Sequence, residues 1–185
     1  VHDFQTGTLY PWEQHVTFKA FWRLLIQGHS LGETTGLVTV LTGICMLTVG
    51  ILLLLAWLRT RHTASAANRN RLIAATIVAA PLLMPFYFDY DLLLLAVPAV
   101  LFASECMRRE PGRSLGSAER WGVAAWSALY VWQLVNTDVG AKFHVNLAVP
   151  LLATVASLMI SRVGRAERAT APNVAPVEAP MRDAA

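Results

Sequence analysis

The densest group of chemically active side chains lies in Pro85–Asp91, which reads Pro-Phe-Tyr-Phe-Asp-Tyr-Asp between two apolar runs. Carboxylates are expensive at membrane depth and are usually functional where they are kept. Asp89 and Asp91 are two residues apart, so a regular helix would place them on different faces, and a paired-carboxylate mechanism is not supported. One of them, beside Tyr90, is instead suited to orient a substrate hydroxyl or a cationic side chain. The alternative interpretation is a solvated hairpin turn within an aromatic belt.

A second polar group comprises Glu13, Gln14, His15, Lys19 and Arg23. Lys19 and Arg23 are four residues apart and would share one face of a helix. Two cations at a membrane interface suit a lipid phosphate or pyrophosphate, which arginine binds through two parallel hydrogen bonds. The alternative is that both long side chains simply extend toward the headgroups. His15 has the chemistry of a general base or a hydrogen-bond donor.

A third polar group comprises Asn136, Asp138, Lys142, His144 and Asn146. The two asparagines and the histidine lie near the ends of predicted helices, where they can face a helical bundle. Ordinary helix capping and a surface Asp–Lys pair are the alternative.

Composition defines the setting of these groups. Of the 185 residues, 55% are hydrophobic and 15% are charged, and the mean hydropathy is +0.47. Soluble domains carry about 25% charged residues, so the composition argues against a soluble enzyme. The net charge is only +3, with the basic residues in short clusters beside apolar runs, so no nucleic-acid partner is expected. Neither a metal-ligand spacing nor a phosphate-binding glycine loop is present, and we expect no metal and no cofactor.

Apolar runs predict an all-α fold, a polytopic transmembrane helical bundle of about five helices, because a span needs about 20 mainly apolar residues. The third and fourth runs are short and would need local thinning of the bilayer. The predicted spans are Gly36–Leu58, Leu72–Phe88, Leu92–Ala103, Trp121–Asn136 and Phe143–Ile160.

Three regions follow from these runs. Residues 1–35 are predicted to be extracytoplasmic, residues 36–162 to form the five-helix membrane region, and residues 163–185 to be a disordered tail. The first region contains an apolar helical repeat with interspersed cations, which predicts an amphipathic helix on the outer interface that ends at Gly28 and Gly32. The repeat is formed by Phe18, Phe21, Trp22, Leu25 and Ile26.

Basic residues orient the predicted bundle. Alternate connections hold nearly all of them, and Lys19, Arg23 and Lys142 alone remain for the other side. By the positive-inside rule, the C-terminus is cytoplasmic, and the Phe88–Asp91 turn and the Thr137–Lys142 loop are extracytoplasmic. We therefore expect an integral protein of a bacterial plasma membrane, surrounded by membrane lipids. The arginines on the cytoplasmic side are Arg59, Arg61, Arg69, Arg71, Arg108, Arg109, Arg113, Arg120, Arg162, Arg165, Arg168 and Arg182.

Two stretches resemble glycosyltransferase family 87 and together cover roughly the first hundred residues. Glu13–Leu25 resembles that family's amphipathic stretch, in which an Asn-Gln-Ser-like triplet precedes an Arg-Leu-Leu-like segment. Pro81–Pro98 resembles a later span, in which a proline and a Tyr-Asp-like pair precede a leucine-rich helix; here these are Pro85, Tyr90 and Asp91.

The resemblance implies a polytopic hexosyltransferase of the GT-C type. Such an enzyme transfers a sugar, here expected to be mannose, from a polyprenyl-phosphate donor to a lipid-linked or envelope glycan acceptor on the extracytoplasmic side. The positions that match the family pattern, and that the resemblance implies bind substrate, are Gln14, Arg23, Tyr90 and Asp91. Glu13 and His15 depart from the Asn and Ser of the family's triplet. Enzymes of this type carry an acidic catalytic base in their first outer loop, so we expect this chain to be a C-terminal part whose base lies upstream of Val1.

The predicted site contains no assigned catalytic residue and lies on the outer face. A transporter or flippase is the first alternative; it predicts charges at mid-membrane depth and related broken helices, and the sequence has neither. A non-catalytic membrane scaffold is the second, and it predicts polar residues scattered over the outer surface. The substrate-binding set is Gln14, His15, Lys19, Arg23, Asp89, Tyr90, Asp91, Lys142 and His144.

Overall fold

A computed structural model describes residues 12–28, 30, 32–62, 65–108, 114–143 and 145–163, without the side chains of residues 89, 90, 137, 138, 140 and 141. These residues form α-helices and short 3-10 segments, so the predicted all-α class is confirmed. The 3-10 segments are Trp12–Gln14 and Asp89–Leu95. The helices are α1 Phe18–Gln27, α2 Gly36–Thr60, α3 Ala66–Leu83, α4 Ala96–Met107, α5 Ser117–Phe143 and α6 Ala148–Arg162.

The predicted outer loop Thr137–Lys142 is wrong, because α5 continues through it to Phe143. The segment contains no proline, and a single glycine in a helix interior costs only about 1 kcal/mol relative to alanine. The fourth predicted span is therefore longer at both ends than its apolar core, Trp121–Asn136.

The second and third predicted spans also change their limits. Helix α3 starts earlier than Leu72 and ends at Leu83, because Met84 precedes Pro85 and adopts the extended backbone that a following proline favours. The 3-10 segment then begins the next helical stretch, and only from Ala96 does the chain continue as the regular helix α4.

Helix α6 begins later than the predicted Phe143, at Ala148. The Oδ1 atom of Asn146 accepts a hydrogen bond of 2.9 Å from the Ala148 backbone N–H and so caps the first turn. This polar cap, rather than the apolar pattern, sets where the helix starts.

Helix α3 lies at the centre of the bundle, where it packs against α2, α4 and α6, and α5 packs on the far side of α6. The α3–α6 contact contains small and branched apolar side chains that are fully buried, which lets the helices approach closely. Gly122 serves the same purpose between α5 and α4, because a Cβ atom there would lie 2.6 Å from the Phe102 Cζ atom. The buried α3–α6 residues include Ala75, Val78, Ala79, Leu82, Val149, Leu152 and Val155.

Hydrogen bonds and ion pairs define two opposite ends of the bundle. At the first end, which we call the arginine end, Arg71 near the start of α3 meets Glu105 and Arg162 near the ends of α4 and α6. At the second end, which we call the junction end, Asn136 in the C-terminal part of α5 and Asn146 before α6 both donate hydrogen bonds to the Glu13 carbonyl oxygen. Helices α3 and α5 thus run toward the junction end, and α4 and α6 run toward the arginine end.

Within the described part, α2 is the one helix long and apolar enough to cross a membrane, and α6 is a shorter apolar helix. Only 11% of the most apolar stretch of α2 is buried against the rest of the chain.

Candidate functional site

The predicted amphipathic helix exists as α1, and its limits have local causes. Thr17 caps its start, since Thr17 Oγ1 accepts a hydrogen bond of 3.2 Å from the Ala20 N–H. Its end comes at Gly28, as predicted, where a φ of 58° is a conformation that glycine adopts at little cost. Gly32, with a φ of 109°, then turns the chain toward α2.

The alternative in which Arg23 extends toward the headgroups is wrong, because its side chain is only 1% exposed. Leu25 and Ile26 of the predicted apolar face are exposed on the surface of the protein, as a helix lying on a membrane requires. Arg23 Nη2 donates hydrogen bonds of 3.0 and 2.8 Å to the carbonyl oxygens of Ser30 and Gly32. The buried guanidinium is therefore held by the loop that follows its own helix.

Lys19 and Arg23 share one face of α1, as their spacing predicts, and both contact the ring of Trp12. The Arg23 guanidinium carbon lies 4.6 Å from the ring centroid and the Lys19 Nζ atom lies 5.7 Å from it. Lys19 Nζ also lies 5.4 Å from the Phe86 ring centroid. Burial, together with the positive charge of Arg23, lowers the pKa of the half-buried Lys19 amine.

Two asparagines fasten the N-terminal segment to the helix ends. Asn136 Nδ2 and Asn146 Nδ2 donate hydrogen bonds of 3.0 and 2.9 Å to the same carbonyl oxygen, that of Glu13. Asn146 Nδ2 also lies 3.1 Å from the His15 carbonyl oxygen, and Trp132 Nε1 donates to Asn136 Oδ1 at 2.8 Å. Both asparagines are buried in the bundle, and Asn146 also caps α6, as the alternative of ordinary capping predicts.

The same segment also pairs with the turn after α3. The Val16 N–H donates a hydrogen bond of 2.8 Å to the Tyr87 carbonyl oxygen, and His15 and Phe88 form an antiparallel bridge. All three polar groups found in the sequence therefore meet at one end of the bundle. We call this assembly the polar junction; its members are Trp12–Val16, Phe86–Phe88, Asn136 and Asn146.

His15 occupies an aromatic environment inside the polar junction and is 1% exposed. Its ring centroid lies 4.1 Å from that of Phe88, 6.4 Å from that of Phe86 and 6.1 Å from that of Trp12. Burial, with a smaller contribution from the charge of Lys19, lowers the pKa of His15 from 6.5 to about 4. The imidazole is therefore neutral at pH 7.

We expect the ring resonances of His15 to titrate with a midpoint near 4 in the folded protein, against 6.5 for an unperturbed histidine. The unfolded chain binds a proton that the folded ring excludes, so stability should decrease as the pH falls from 6.5 toward 4. Carbon-13 NMR of the imidazole measures the midpoint, and His15→Gln identifies the signals. A midpoint at 6 or above would show that the ring is solvated.

Asp91 has a structural contact as well as an exposed surface. Its Oδ2 atom accepts a hydrogen bond of 3.3 Å from the Phe88 N–H and so caps the 3-10 segment. The Tyr87 hydroxyl donates to the Asp91 carbonyl oxygen at 3.0 Å, and burial with the Asp91 charge raises the pKa of this tyrosine. The alternative of a turn among aromatic residues therefore describes the backbone, while the exposed carboxylate stays available to a ligand.

Fewer contacts are described for the remaining predicted site residues. Gln14 is half-buried in the first 3-10 segment, and Lys142 is exposed in the last turn of α5 with Nζ 5.5 Å from the Phe143 ring centroid. Asp89 and Tyr90 belong to the second 3-10 segment, but their side chains lie outside the described residues, as does all of His144.

A scan against protein-family models finds no match, and neither a curated protein nor a solved structure is similar to it. The candidate site therefore depends on the geometry of the chain itself.

A charged cluster at the arginine end was missed in the sequence. Glu105 pairs with Arg71 and lies 3.2 Å from Arg162 Nη2, and Glu119 lies 3.7 Å from the same atom. Arg162 also lies over the Phe102 ring, 4.7 Å from its centroid. The sequence did contain a signal for this cluster. Glu105 is the single acid of the apolar helix α4, and it lies level with the arginines of the neighbouring helices.

Proposed function

We propose that this chain is part of a polytopic integral membrane glycosyltransferase. In this proposal it transfers a hexose, mannose, from a polyprenyl-phosphate donor to a lipid-linked or envelope glycan acceptor on the extracytoplasmic side. The observation that carries the proposal is the convergence of Trp12–Val16, Phe86–Phe88 and the two asparagines at one end of the bundle. Arg71, Arg108 and Arg162 lie at the other end.

The membrane part of the proposal is supported by the outward surface of the helices. Large apolar side chains are exposed on several of them: Leu47 of α2, Val100 of α4 and Leu134 of α5 are 64%, 66% and 71% exposed. Soluble monomers rarely expose large contiguous apolar patches, and lipid chains would cover these side chains. The 25 residues of α2 extend about 38 Å at 1.5 Å per residue, which exceeds the hydrocarbon thickness of about 30 Å.

The orientation in the membrane is supported by the distribution of charge. The positive-inside rule assigns the arginine end to the cytoplasm, and the polar junction then lies on the extracytoplasmic side. A polyprenyl-phosphate donor presents its sugar and phosphate at a membrane surface. The polar junction would therefore lie at the depth of the reacting groups.

Lys19 is the cation best placed to hold the donor phosphate. Arg23 is enclosed and its Nη2 atom is already bound to two carbonyl oxygens, so we assign it the role of positioning Trp12 and the loop that follows α1. The half-buried Lys19 amine lies beside it, and an anion there would stabilise the ammonium that burial disfavours. Cations held in place in this way stabilise the leaving phosphate of a glycosyl transfer.

The surrounding groups have chemistry suited to a sugar. Phe86, which is 38% exposed beside Lys19, offers a partly apolar surface next to that cation. The exposed Asp91 carboxylate is suited to accept a hydrogen bond from a sugar hydroxyl, and exposed Lys142 at the end of α5 supplies a further positive charge. We assign no catalytic base among these residues.

Photo-crosslinking with a polyprenyl-phosphate mannose analogue tests the proposal in membranes that contain the chain. Lys19→Gln should reduce labelling about tenfold, since hydrogen bonds to charged groups contribute about 1.5–3 kcal/mol. Arg61→Gln, an exposed substitution at the arginine end, is the matched control and should leave labelling unchanged. Equal labelling of the wild type and the Lys19 variant, or no labelling of either, would reject the proposed donor site.

A further inference from the structure

A second site is indicated at the arginine end, away from the polar junction. A cavity of about 200 Å³ lies there between α3, α4 and α6. Its lining is divided, with Leu101, Phe102 and Met159 forming an apolar part. The polar part comprises Asn70, Arg71, Ser104, Glu105, Arg108 and Arg162.

The charges that line this cavity do not cancel. Glu105 is shared by Arg71 and Arg162, and the buried Glu119 adds a second carboxylate behind Arg162. These two acids balance two arginines. Among the described residues, Arg108, which is exposed at the end of α4, then leaves the cavity with a net positive charge.

Two of the guanidinium groups also retain buried donors. Among the described residues, neither Arg71 Nε nor Arg162 Nη1 has a hydrogen-bond acceptor, although both atoms are buried. Arg71 Nη1 donates to the Arg162 backbone carbonyl oxygen at 3.2 Å, which ties the Arg71 side chain to the end of α6. Buried donors of a charged group are expensive to leave unpaired. An anion in the cavity that both side chains line would supply the missing acceptors.

We propose that this cavity binds the phosphate group of an anionic ligand, and that Arg108, Arg71 and Arg162 are its cationic contacts. Arginine binds phosphate through parallel N–H···O bonds. The cavity is smaller than the roughly 300–1,000 Å³ that encloses a drug-sized ligand, so it fits a phosphate or a small headgroup rather than a whole nucleotide.

The apolar part of the lining favours an acidic phospholipid of the inner leaflet as the source of that phosphate. Basic pockets between transmembrane helices on the cytoplasmic side are where anionic headgroups bind. This choice of source rests on the membrane orientation given under the proposed function, whereas the phosphate chemistry does not. Inorganic phosphate is the other source, and the experiment separates the two.

Native mass spectrometry of the purified chain in neutral detergent micelles tests the site. Phosphatidylglycerol should remain bound where phosphatidylcholine does not, and Arg108→Gln should weaken retention about fivefold, since a cation near an anionic lipid contributes about 1 kcal/mol. Arg61→Gln is the matched control, because Arg61 follows α2 as an exposed arginine that does not line the cavity. Arg108 makes no side-chain ion pair among the described residues, so its variant should fold.

Each outcome decides the proposal. Phosphatidylglycerol retention that Arg108→Gln lowers and Arg61→Gln does not supports the site with a lipid source. A rise in thermal stability with inorganic phosphate alone, lost only in Arg108→Gln, supports the site with a free phosphate source. Equal effects of the two substitutions, or no selective binding of either probe, would overturn the site.

Discussion

Asn146→Leu is expected to lower the free energy of unfolding by about 3 kcal/mol. The side chain is 0% exposed and makes three hydrogen bonds, two as donor to the carbonyl oxygens of Glu13 and His15 and one as acceptor from the Ala148 N–H. Leucine has a similar volume but would leave the His15 carbonyl and the Ala148 N–H buried without this partner. Each such group costs about 1–3 kcal/mol, while Asn136 still binds the Glu13 carbonyl.

Denaturant unfolding in detergent micelles measures the loss. Asn146→Asp keeps the shape and the acceptor but replaces the donor by a carboxylate that faces carbonyl oxygens, so it should also be strongly destabilising at pH 7. Asn70→Leu, at an exposed asparagine, is the matched control and should change stability by no more than about 0.5 kcal/mol. A wild-type-like Asn146→Asp would show that packing, and not hydrogen bonding, holds the polar junction together.

Arg23→Lys should cost about 2–3 kcal/mol, although it conserves the charge. The lysine ammonium would be buried at the same place without a guanidinium plane to lie over Trp12 and without the reach to both Ser30 and Gly32 carbonyls. A buried charge that loses its partners is strongly destabilising. Arg23→Met removes the same contacts but also removes the charge, so its loss of stability should be smaller than that of the lysine variant.

Lys19→Met is the control for Arg23, because Lys19 lies over the same Trp12 ring but is half-buried. Loss of a cation–π contact at such a site costs about 0.5–1 kcal/mol. Thermal unfolding ranks the variants. If Arg23→Lys were as stable as the wild type, the guanidinium would not be a structural part of the loop after α1.

The sequence could predict that the three polar groups lie at the same end of the bundle, but not which atoms meet there. Polar side chains are energetically costly in the apolar interior of a bundle. Polar residues that are far apart in an apolar sequence are therefore expected to lie together at one end of the helices. Which atoms meet depends on a pairing between Asn146 and Glu13, which are 133 positions apart. Moreover, the groups bound are backbone carbonyls, and these are the same for every residue type.

The end of α1 at Gly28 was predicted, whereas the end of α3 before Pro85 was missed, because the second span was predicted to continue to Phe88. Pro85 and Gly28 end helices for reasons that depend on neighbouring residues alone. In α5, by contrast, Asp138 and Lys142 interrupt the apolar pattern without interrupting the helix. An apolar run therefore gives the part of a helix that can lie in hydrocarbon, and the helix itself extends beyond it.

The burial of Arg23 could not be predicted from the periodicity of α1 alone. The apolar repeat of Phe21, Leu25 and Ile26 is compatible with a helix lying on a membrane. Trp12 and the carbonyls of the following loop, which enclose the cation, belong to other segments. The apolar pattern of one helix carries no information about partners in other segments. It therefore did not indicate that Arg23 is buried beside Leu24.

Cysteine labelling in intact bacterial cells tests the central claim most directly, namely that the polar junction and the arginine end lie on opposite sides of a membrane. With Cys45 and Cys106 replaced by alanine, single cysteines at the exposed positions Lys142 and Arg61 report the two ends. We predict that a membrane-impermeant maleimide labels Lys142→Cys in intact cells and Arg61→Cys only after permeabilisation. Labelling of Arg61→Cys in intact cells, or equal protection of both positions, would contradict the orientation and the proposed extracytoplasmic site with it.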